Sequence, residues 1–154
     1  AKAAGGVDDP SAHLELLTLL NDRRIRVTNR KTLDGALLGT GFPYRDQSHL
    51  DAYLGMFKAM TLATAGIRRP GSAALDLAYV AAGRLDGFWE LGLKPWDMAA
   101  GSLIATEAGA IVTEATGGVF TPSSPHFVAA NPQLHGPLCE VVAAALPPHI
   151  AQHQ

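Results

Sequence analysis

Two carboxylates seven residues apart are a first candidate for chemistry in this sequence, although two acids at this spacing are weak evidence when taken alone. Glu90 lies in a segment with strand character, 87–91, and Asp97 falls in the first turn of a predicted helix, 97–108. An acid at a helix N-terminus is stabilised by the helix dipole and by unpaired backbone N–H groups, so Asp97 is expected to stay ionised. Such hard oxygen ligands bind Mg²⁺. An ordinary helix cap is the simpler interpretation of Asp97 from the local pattern alone.

A glycine before a second predicted helix is another candidate feature. Gly71 precedes Ser72 and Ala73, and this order leaves backbone N–H groups free to meet an anion or a hydroxyl. Read alone, the same order also predicts a plain capped helix, with Ser72 as the N-cap and Asp76 as a first-turn acid.

The other reactive residue types give weaker signals. The six histidines are scattered without metal-ligand spacing, and most are predicted to lie at the surface. Cys139 follows an amphipathic pattern with Val142 and is interpreted as a buried apolar residue, and a single cysteine excludes an internal disulfide. The sequence contains no Walker A loop, nucleophile elbow or dinucleotide fingerprint, and no residue is assigned as catalytic.

The two candidate features occur in one ordered run over residues 68–118, RRPGSAALDLAYVAAGRLDGFWELGLKPWDMAAGSLIATEAGAIVTEATGG. This run closely resembles the C-terminal half of the inositol monophosphatase family. The family's second signature, W-D-x-A-A-G, is similar to WDMAAG at residues 96–101. The shorter runs NDRRIRV, TGFPYR and FVAANPQ are also similar to the family's sequence, so the resemblance covers about residues 21–146. Among the family's members, the bacterial ones resemble this sequence most.

The resemblance implies a Mg²⁺-dependent, lithium-sensitive hydrolase that acts on inositol monophosphate or a similar polyol phosphate. It implies that Asp97 is a metal ligand and that Glu90 hydrogen-bonds a substrate hydroxyl. It also implies that the turn formed by Gly71, Ser72 and Ala73 supplies further substrate contacts. A nucleotide or fructose bisphosphate phosphatase of the same superfamily is an alternative.

The family's first signature, D-P-[ILV]-D-G-T, has no counterpart in this sequence. Asp8-Asp9-Pro10 is followed by Ser-Ala-His, and the Asp-Gly pairs at residues 34–35 and 86–87 lack the flanking residues. That signature supplies two metal-binding aspartates and the amides that hold the phosphate. We therefore expect residues 1–20 to be a leader unlike the family, 21–146 to be a family-like C-terminal portion, and 147–154 to be a tail. We also expect this chain, as an incomplete part of the enzyme, to be inactive in isolation.

Segments of strand and helix period must position these side chains. The predicted strands are 24–28, 36–40, 87–91, 110–114 and 127–130, and the predicted helices are 48–64, 73–82, 97–108 and 137–146. This alternation predicts an α/β fold with layers of sheet and helix, as in the family's C-terminal domain.

Composition limits the class of protein. The chain has 154 residues, of which 47% are hydrophobic and 17% charged, which suits one domain or one large piece of a larger domain and argues against disorder. Apolar runs stop well short of the roughly 20 residues that a membrane span needs, and the N-terminus carries no long apolar run. We expect a cytoplasmic protein with no membrane partner.

Charge is unevenly distributed along the chain. Residues 1–69 carry a net charge of +3 and residues 70–154 one of −5. The basic excess includes Arg23, Arg24, Arg26, Arg30 and Lys31. A solvated strand face is the simpler interpretation of this cluster, and a nucleic-acid contact is the other. Because bacterial members of the family also act as partners of the transcription antitermination machinery, a non-enzymatic role stays open. Loss of the family's N-terminal domain also predicts exposed apolar surface, and hence self-association or a homodimer.

Overall fold

The computed structural model describes residues 19–44, 46–124 and 126–147. The strands are β1 (Leu19–Leu20), β2 (Arg23–Arg24), β3 (Leu37–Thr40), β4 (Gly66–Arg68), β5 (Gly87–Glu90), β6 (Ile111–Glu114) and β7 (Phe127–Ala130). The helices are α1 (Leu50–Ala63), α2 (Ala73–Ala81), α3 (Pro95–Glu107) and α4 (Pro132–Ala145), and a 3-10 turn at Gln47–His49 precedes α1.

Five of these strands form one mixed sheet in the order β4-β3-β5-β7-β6. Strand β3 is parallel to both β4 and β5, whereas β7 runs antiparallel to β5 and β6. The carboxyl ends of the three parallel strands therefore meet at one edge, where open α/β sheets bind their ligands. The predicted α/β class, with sheet and helix in layers, is confirmed.

Each face of the sheet carries its own apolar core. The first core packs α1 and α4 against one face and includes Leu38, Tyr53, Met56, Met60, Trp89, Val128, Leu134 and Leu138. The second core packs α2 and α3 against the other face and includes Leu77, Val80, Phe88, Met98, Ala105 and Phe127. Alternate residues of β5, Phe88 and Trp89, thus contribute to opposite cores, as the strand period of two requires.

The close approach of α2 to α3 depends on Gly101. A Cβ atom added at Gly101 would lie 2.8 Å from the Cβ of Leu77, which is too close for two carbon atoms. Glycine at this position lets the two helices touch almost backbone to backbone. This contact fixes the N-terminus of α3, with Asp97, beside the turn that begins α2.

The strand predicted at 24–28 is wrong beyond Arg24. Residues 25–28 belong to no strand and pair with no strand of the five-stranded sheet. Ile25 and Val27 still pack against the second core, and the Val27 N–H donates to the Ala108 carbonyl over 3.1 Å. The alternation of apolar and basic residues was therefore a correct guide to burial but not to strand pairing.

Asn131 holds the segment that contains Thr28 and Arg30 and also begins α4. Its side-chain amide donates to Thr28 Oγ1 over 3.0 Å and to the Arg30 carbonyl over 3.2 Å. Its Oδ1 accepts hydrogen bonds from the N–H groups of Gln133 and Leu134 over 2.9 and 3.0 Å. The helix therefore starts at Pro132, five residues before the predicted start at residue 137, because an asparagine cap followed by proline is a strong start signal.

Part of the predicted domain division lies outside the described residues. Residues 1–18 and 148–154 belong to the segments predicted as leader and tail, and those two boundaries stay predictions. In the three described ranges, no helix is both long enough and apolar enough to cross a membrane.

Candidate active site

A pocket of about 320 Å³ lies at the carboxyl ends of the parallel strands. Its walls come from the loops that follow β3, β4 and β5 and from the first turns of α2 and α3. The structure brings all the predicted site residues to this pocket: Gly71, Ser72, Ala73, Glu90 and Asp97 line it together. A concave site of this size with converging polar groups is the usual form of a small-molecule site.

Glu90 is the last residue of β5, and its side chain lies against Gly41. A Cβ atom added to Gly41 would overlap the Glu90 carboxyl group. The glycine after β3 therefore leaves the space in which the carboxylate of the neighbouring parallel strand sits. Glu90 is half-buried there, so its carboxyl group is held at the pocket wall rather than extended into solvent.

Asp97 is both a helix cap and a pocket residue. Its Oδ2 accepts a hydrogen bond from the Lys94 N–H over 3.1 Å, which ties the loop after β5 to the first turn of α3. Asp97 can therefore act as a helix cap and still present its carboxylate to a ligand in the pocket. The hydrogen bond fixes the orientation of a carboxylate that lines the pocket.

The turn before α2 is built around Gly71, whose φ is +93°. L-residues with a side chain rarely adopt this conformation, so the turn favours glycine at this position. Ser72 occupies the N-cap position, but its side chain makes no capping hydrogen bond. The expectation that Ser72 caps α2 through its hydroxyl is therefore wrong, and that hydroxyl lies exposed at the pocket.

Asp76 lines the same pocket and is a site residue that sequence reasoning treated only as a first-turn acid. It is 1% exposed, and its Oδ1 has no hydrogen-bond partner among the described residues. Burial raises the pKa of Asp76 to about 7, although the nearby Arg69 charge and a backbone hydrogen bond from Ser72 act to lower it. Gly39 gives Asp76 its room, since a Cβ atom there would lie 3.2 Å from Oδ1.

Arg69 supplies positive charge to an otherwise acidic pocket. Its guanidinium carbon lies 4.9 Å from the ring centroids of both Phe42 and Tyr44, within the range of a cation–π contact. Four acids line the pocket with it: Asp46, Asp76, Glu90 and Asp97. This balance suits a ligand that carries hydroxyl groups together with a cation. Phe42, Tyr44 and Arg69 lie within the family-like runs at residues 40–45 and 68–118, but their stacking depends on a contact between loops and has no sequence period.

A half-buried histidine, His126, braces the loop that follows Glu90. The Nδ1 atom of His126 accepts a hydrogen bond from the Gly92 N–H over 3.1 Å, and Gly92 lines the pocket. Burial, together with the neighbouring His49 ring, lowers the pKa of His126 to about 4. The ring is therefore neutral at pH 7 and can act as an acceptor. The expectation that most histidines lie at the surface is wrong for His49, His126 and His135, each of which is half-buried.

The donor set of the pocket partly fits Mg²⁺. Asp97 and Glu90 provide the carboxylate oxygens that this ion prefers, but no group of three or more His, Cys, Asp or Glu within the described ranges could hold a metal ion. Mg²⁺ keeps several water ligands and commonly takes one or two carboxylates together with substrate phosphates. The chain can therefore contribute to such a site without enclosing the ion.

Comparison with known proteins gives the family. The sequence model of the inositol monophosphatase family matches residues 5–147. The chain belongs to the inositol monophosphatase family. The match confirms the predicted resemblance, and it extends into the 1–20 segment.

Several bacterial proteins are similar in sequence. The Nus factor SuhB of Pseudomonas aeruginosa is 53% identical over 133 residues, which cover 85% of this chain and 49% of that protein. A putative Nus factor SuhB of Neisseria meningitidis serogroup B is 53% identical over 126 residues, covering 82% of this chain and 48% of the relative. The chain thus spans about half the length of the relatives that it matches.

Solved structures of the family have the same fold. The inositol monophosphatase of Anabaena superposes with a TM-score of 0.77 at 39% identity, covering 84% of this chain and 51% of that one. The extragenic suppressor protein suhB of Bartonella henselae has a TM-score of 0.76 at 42% identity, covering 82% of this chain and 48% of that one. The sheet-and-helix arrangement described above therefore corresponds to about half of each of these two longer chains.

Proposed function

We propose that this chain provides the polyol-binding side and one metal ligand of a Mg²⁺-dependent phosphomonoesterase that acts on inositol monophosphate or a similar polyol phosphate. The observation that carries the proposal is the single pocket that gathers Glu90, Asp97 and the Gly71–Ser72–Ala73 turn at the carboxyl ends of three parallel strands. The assigned roles of these residues rest on the family resemblance, and their common location supports it.

The chain's own residues would bind and orient the alcohol part of the substrate. The Glu90 carboxylate accepts a hydrogen bond from a substrate hydroxyl, and the turn before α2 offers backbone N–H groups and the Ser72 hydroxyl. Asp97 would hold Mg²⁺, and this ion, when bound, supplies an activated water and neutralises phosphate charge. The Lys94 N–H donates a hydrogen bond to the Asp97 carboxylate and keeps that carboxylate in one orientation.

A phosphatase assay tests this function. Phosphate release from inositol 1-phosphate is measured in millimolar Mg²⁺, first with this chain alone and then with a polypeptide that carries a D-P-x-D-G-T element. We expect no useful turnover from the chain alone, because the nucleophilic water, the phosphate and the metal are not fixed together. Lithium-inhibited turnover is expected from the combination. Robust turnover by the chain alone, or none by the combination, would contradict the proposal.

The substrate class is tested with the same assay. Nucleotide and fructose bisphosphates are the alternative substrates within the superfamily. A panel of inositol, nucleotide and sugar phosphates, applied to the combination above, separates them by relative kcat/KM.

A second candidate function is association with the transcription machinery. Two of the relatives above carry the name Nus factor, and the exposed side chains of Arg23, Arg24 and Arg26 place positive charge on the protein surface. Arg30 contributes less positive charge to that surface, because its guanidinium forms an ion pair with Asp86 over 3.1 Å. RNA retention that falls with salt and is lost when the three exposed arginines become glutamine would support this function. A cytoplasmic location is common to both proposals.

Self-association is also proposed. Trp96 is 74% exposed and Val119 is 85% exposed, which leaves large apolar side chains in solvent. Analytical ultracentrifugation over a wide concentration range tests it, and a monomer at all concentrations would contradict it.

A further inference from the structure

His126 is linked to two segments of the pocket wall without lining the pocket itself. Its Nδ1 atom accepts a hydrogen bond from the Gly92 N–H over 3.1 Å, and Gly92 lies in the loop after β5. Its ring also meets the His49 ring edge to face, with 5.0 Å between the centroids. His49 Nε2 is 3.6 Å from Asp46 Oδ2, and both Asp46 and Gly92 line the pocket. A side chain outside the pocket is therefore connected to the loops that form two of its walls.

Strand β7 fixes the chain at Glu90 and the residue before β7 fixes it again two residues later. Glu90, the last residue of β5, pairs with Phe127, the first residue of β7. His126 directly precedes Phe127, and its side chain reaches Gly92, two residues beyond Glu90. A strand pairing and a side-chain hydrogen bond thus act on one short stretch of backbone. Because the path of the chain after Glu90 sets the ψ of that residue, the hydrogen bond also limits the backbone conformation of Glu90.

The turn at Gly92 depends on such a contact more than its neighbours do. Gly92 has a φ of +78°, and glycine has more backbone conformations open to it than any other residue. Leu91 and Leu93 are buried in the first and the second core, so the residues on either side of the turn are held by packing. Loss of the hydrogen bond should therefore change the backbone between two anchored leucines without unfolding the chain.

The donor in this hydrogen bond determines the tautomer of His126. A backbone N–H can only donate, so Nδ1 carries no proton and the neutral ring is protonated at Nε2. Burial, followed by the His49 ring, lowers the pKa of His126 to about 4, while the Glu114 and Asp46 carboxylates act to raise it. The ring is therefore a neutral acceptor at pH 7.

We propose that His126 is a positioning residue of the candidate active site, which holds the Glu90 carboxylate in place for a substrate hydroxyl through the hydrogen bond to Gly92. His126 has this role in catalysis only if Glu90 binds that hydroxyl, as proposed above. A contact to a hydroxyl away from the reacting phosphorus is made in the bound substrate and in the transition state alike. Displacing Glu90 should therefore raise KM and leave kcat nearly unchanged.

NMR spectroscopy of the isolated chain tests the placement of Glu90 without any turnover. At pH 7, long-range ¹H–¹⁵N correlations of the His126 ring should show a proton on Nε2 and none on Nδ1. This measurement uses the unmodified chain, so it does not depend on a folded variant.

Two substitutions of His126 then separate the acceptor from the ring. His126→Phe keeps a ring beside His49 but has no acceptor, whereas His126→Asn keeps one, since Asn Oδ1 and His Nδ1 are both bonded to Cγ. We expect the Gly92 amide to exchange with solvent about tenfold faster or more in His126→Phe, and near the unmodified rate in His126→Asn. The Glu90 carboxyl ¹³C resonance should move in His126→Phe only.

Kinetics of the combination described above test the effect on the substrate, with inositol 1-phosphate as the probe. His126→Phe should raise KM by about tenfold, the worth of one hydrogen bond, and change kcat by less than about threefold. His126→Asn should keep the KM of the unmodified enzyme. His135→Phe is the matched control, because His135 is also half-buried but its partner Thr113 lies outside the pocket, and both constants should stay unchanged.

The two experiments separate the positioning role from the phosphatase proposal. A proton on Nδ1 of His126 at pH 7, or a Glu90 resonance that does not move in His126→Phe, would overturn the positioning role even with an active combination. An equal rise of KM in His126→Asn and His126→Phe would overturn it too, because the acceptor would then not matter. An inactive combination, with a Glu90 resonance that moves in His126→Phe alone, would contradict the phosphatase proposal and still support the placement of Glu90 by His126.

Discussion

The carboxyl group of Glu90 occupies the space where Gly41 would carry its Cβ atom. Glu90 is the last residue of β5 and Gly41 directly follows β3, its parallel neighbour, so the missing side chain of the glycine makes room for the carboxyl group of the glutamate. The position of Glu90 in the pocket is therefore set by a residue that itself does no chemistry.

Gly41→Ala should displace the Glu90 carboxylate from the pocket wall. Because the overlapped atoms are the far end of a flexible side chain, the free energy of unfolding should fall by about 1 kcal/mol, the low end of what overpacking costs. The phosphatase activity of the complemented enzyme should fall about as far as it does in Glu90→Gln. A crystal structure of the variant with Glu90 still in place would contradict this prediction.

Gly55→Ala is the matched control for that substitution. Gly55 lies within α1, far from the pocket, and an added Cβ would make an ordinary 3.5 Å contact with Ala145. Replacing a helical glycine by alanine should stabilise the chain by about 0.5–1 kcal/mol. Urea denaturation of both variants separates a general effect of glycine replacement from the local effect at Gly41.

The buried Asp76 should make stability depend on pH. Its folded-state pKa of about 7 lies above its ordinary value, so between about pH 4 and pH 7 the folded chain holds a proton that the unfolded chain releases. The contribution of this group to stability is therefore present at low pH and is lost as pH rises through 7. Asp76→Asn should be more stable than the unmodified chain at pH 8, by about 2–4 kcal/mol, and nearly equal to it at pH 4.

Urea denaturation at several pH values measures this difference. Asp51→Asn, at an exposed position on α1, is the control and should follow the profile of the unmodified chain. Parallel profiles for Asp76→Asn and the unmodified chain would show that Asp76 titrates normally in the folded state.

The sequence was informative where one local signal had no competitor. Helix 73–82 was predicted within one residue of Ala73–Ala81, and the strand at 127–130 matches β7, because a glycine stop and an apolar run mark them clearly. Strand β4 was not predicted, since its three residues are too few to show a period. The start of α4 was misplaced because Pro137 resembles a helix start, whereas Asn131 and Pro132 give the stronger one.

The sequence predicted the site residues that belong to the family motif, but not the pocket residues whose roles depend on tertiary contacts. The family motif identified Glu90 and Asp97 as candidate site residues, and both line the pocket. Arg69 was not singled out, and Asp76 was predicted only as a first-turn acid, because their roles in the pocket depend on burial and on stacking across loops distant in sequence. Their side chains gain unusual properties only when the chain is folded.

Asn131→Ala should be among the most destabilising single changes in this chain. It removes two capping hydrogen bonds at α4 and two that hold Thr28 and Arg30. A loss of about 2–4 kcal/mol is expected, because a lost cap costs about 1 kcal/mol and buried partners are left unpaired. Gln133→Ala, an exposed change at the same helix end, should alter the urea midpoint little. A small effect of Asn131→Ala would mean that water replaces these bonds.

Asp97→Asn should separate the two roles of that residue. The amide oxygen can still accept from the Lys94 N–H, so stability should fall by only about 0.3–1 kcal/mol, from the lost interaction with the helix dipole. Activity of the complemented enzyme should fall steeply, and more Mg²⁺ should restore only part of it. Ser123→Ala, at an exposed loop position, should affect neither measurement. Full activity in Asp97→Asn would remove this residue from the metal site.

Because each face of the sheet has its own core, substitutions in one core should affect stability independently of substitutions in the other. The acids Asp76 and Asp97 come from α2 and α3, whereas α1 and α4 pack on the opposite face. Substitutions separated by the sheet share few contacts, so their effects on stability should add. Stabilising changes in α1 or α4 could therefore be accumulated in directed evolution and later combined with changes of ligand specificity on the other face.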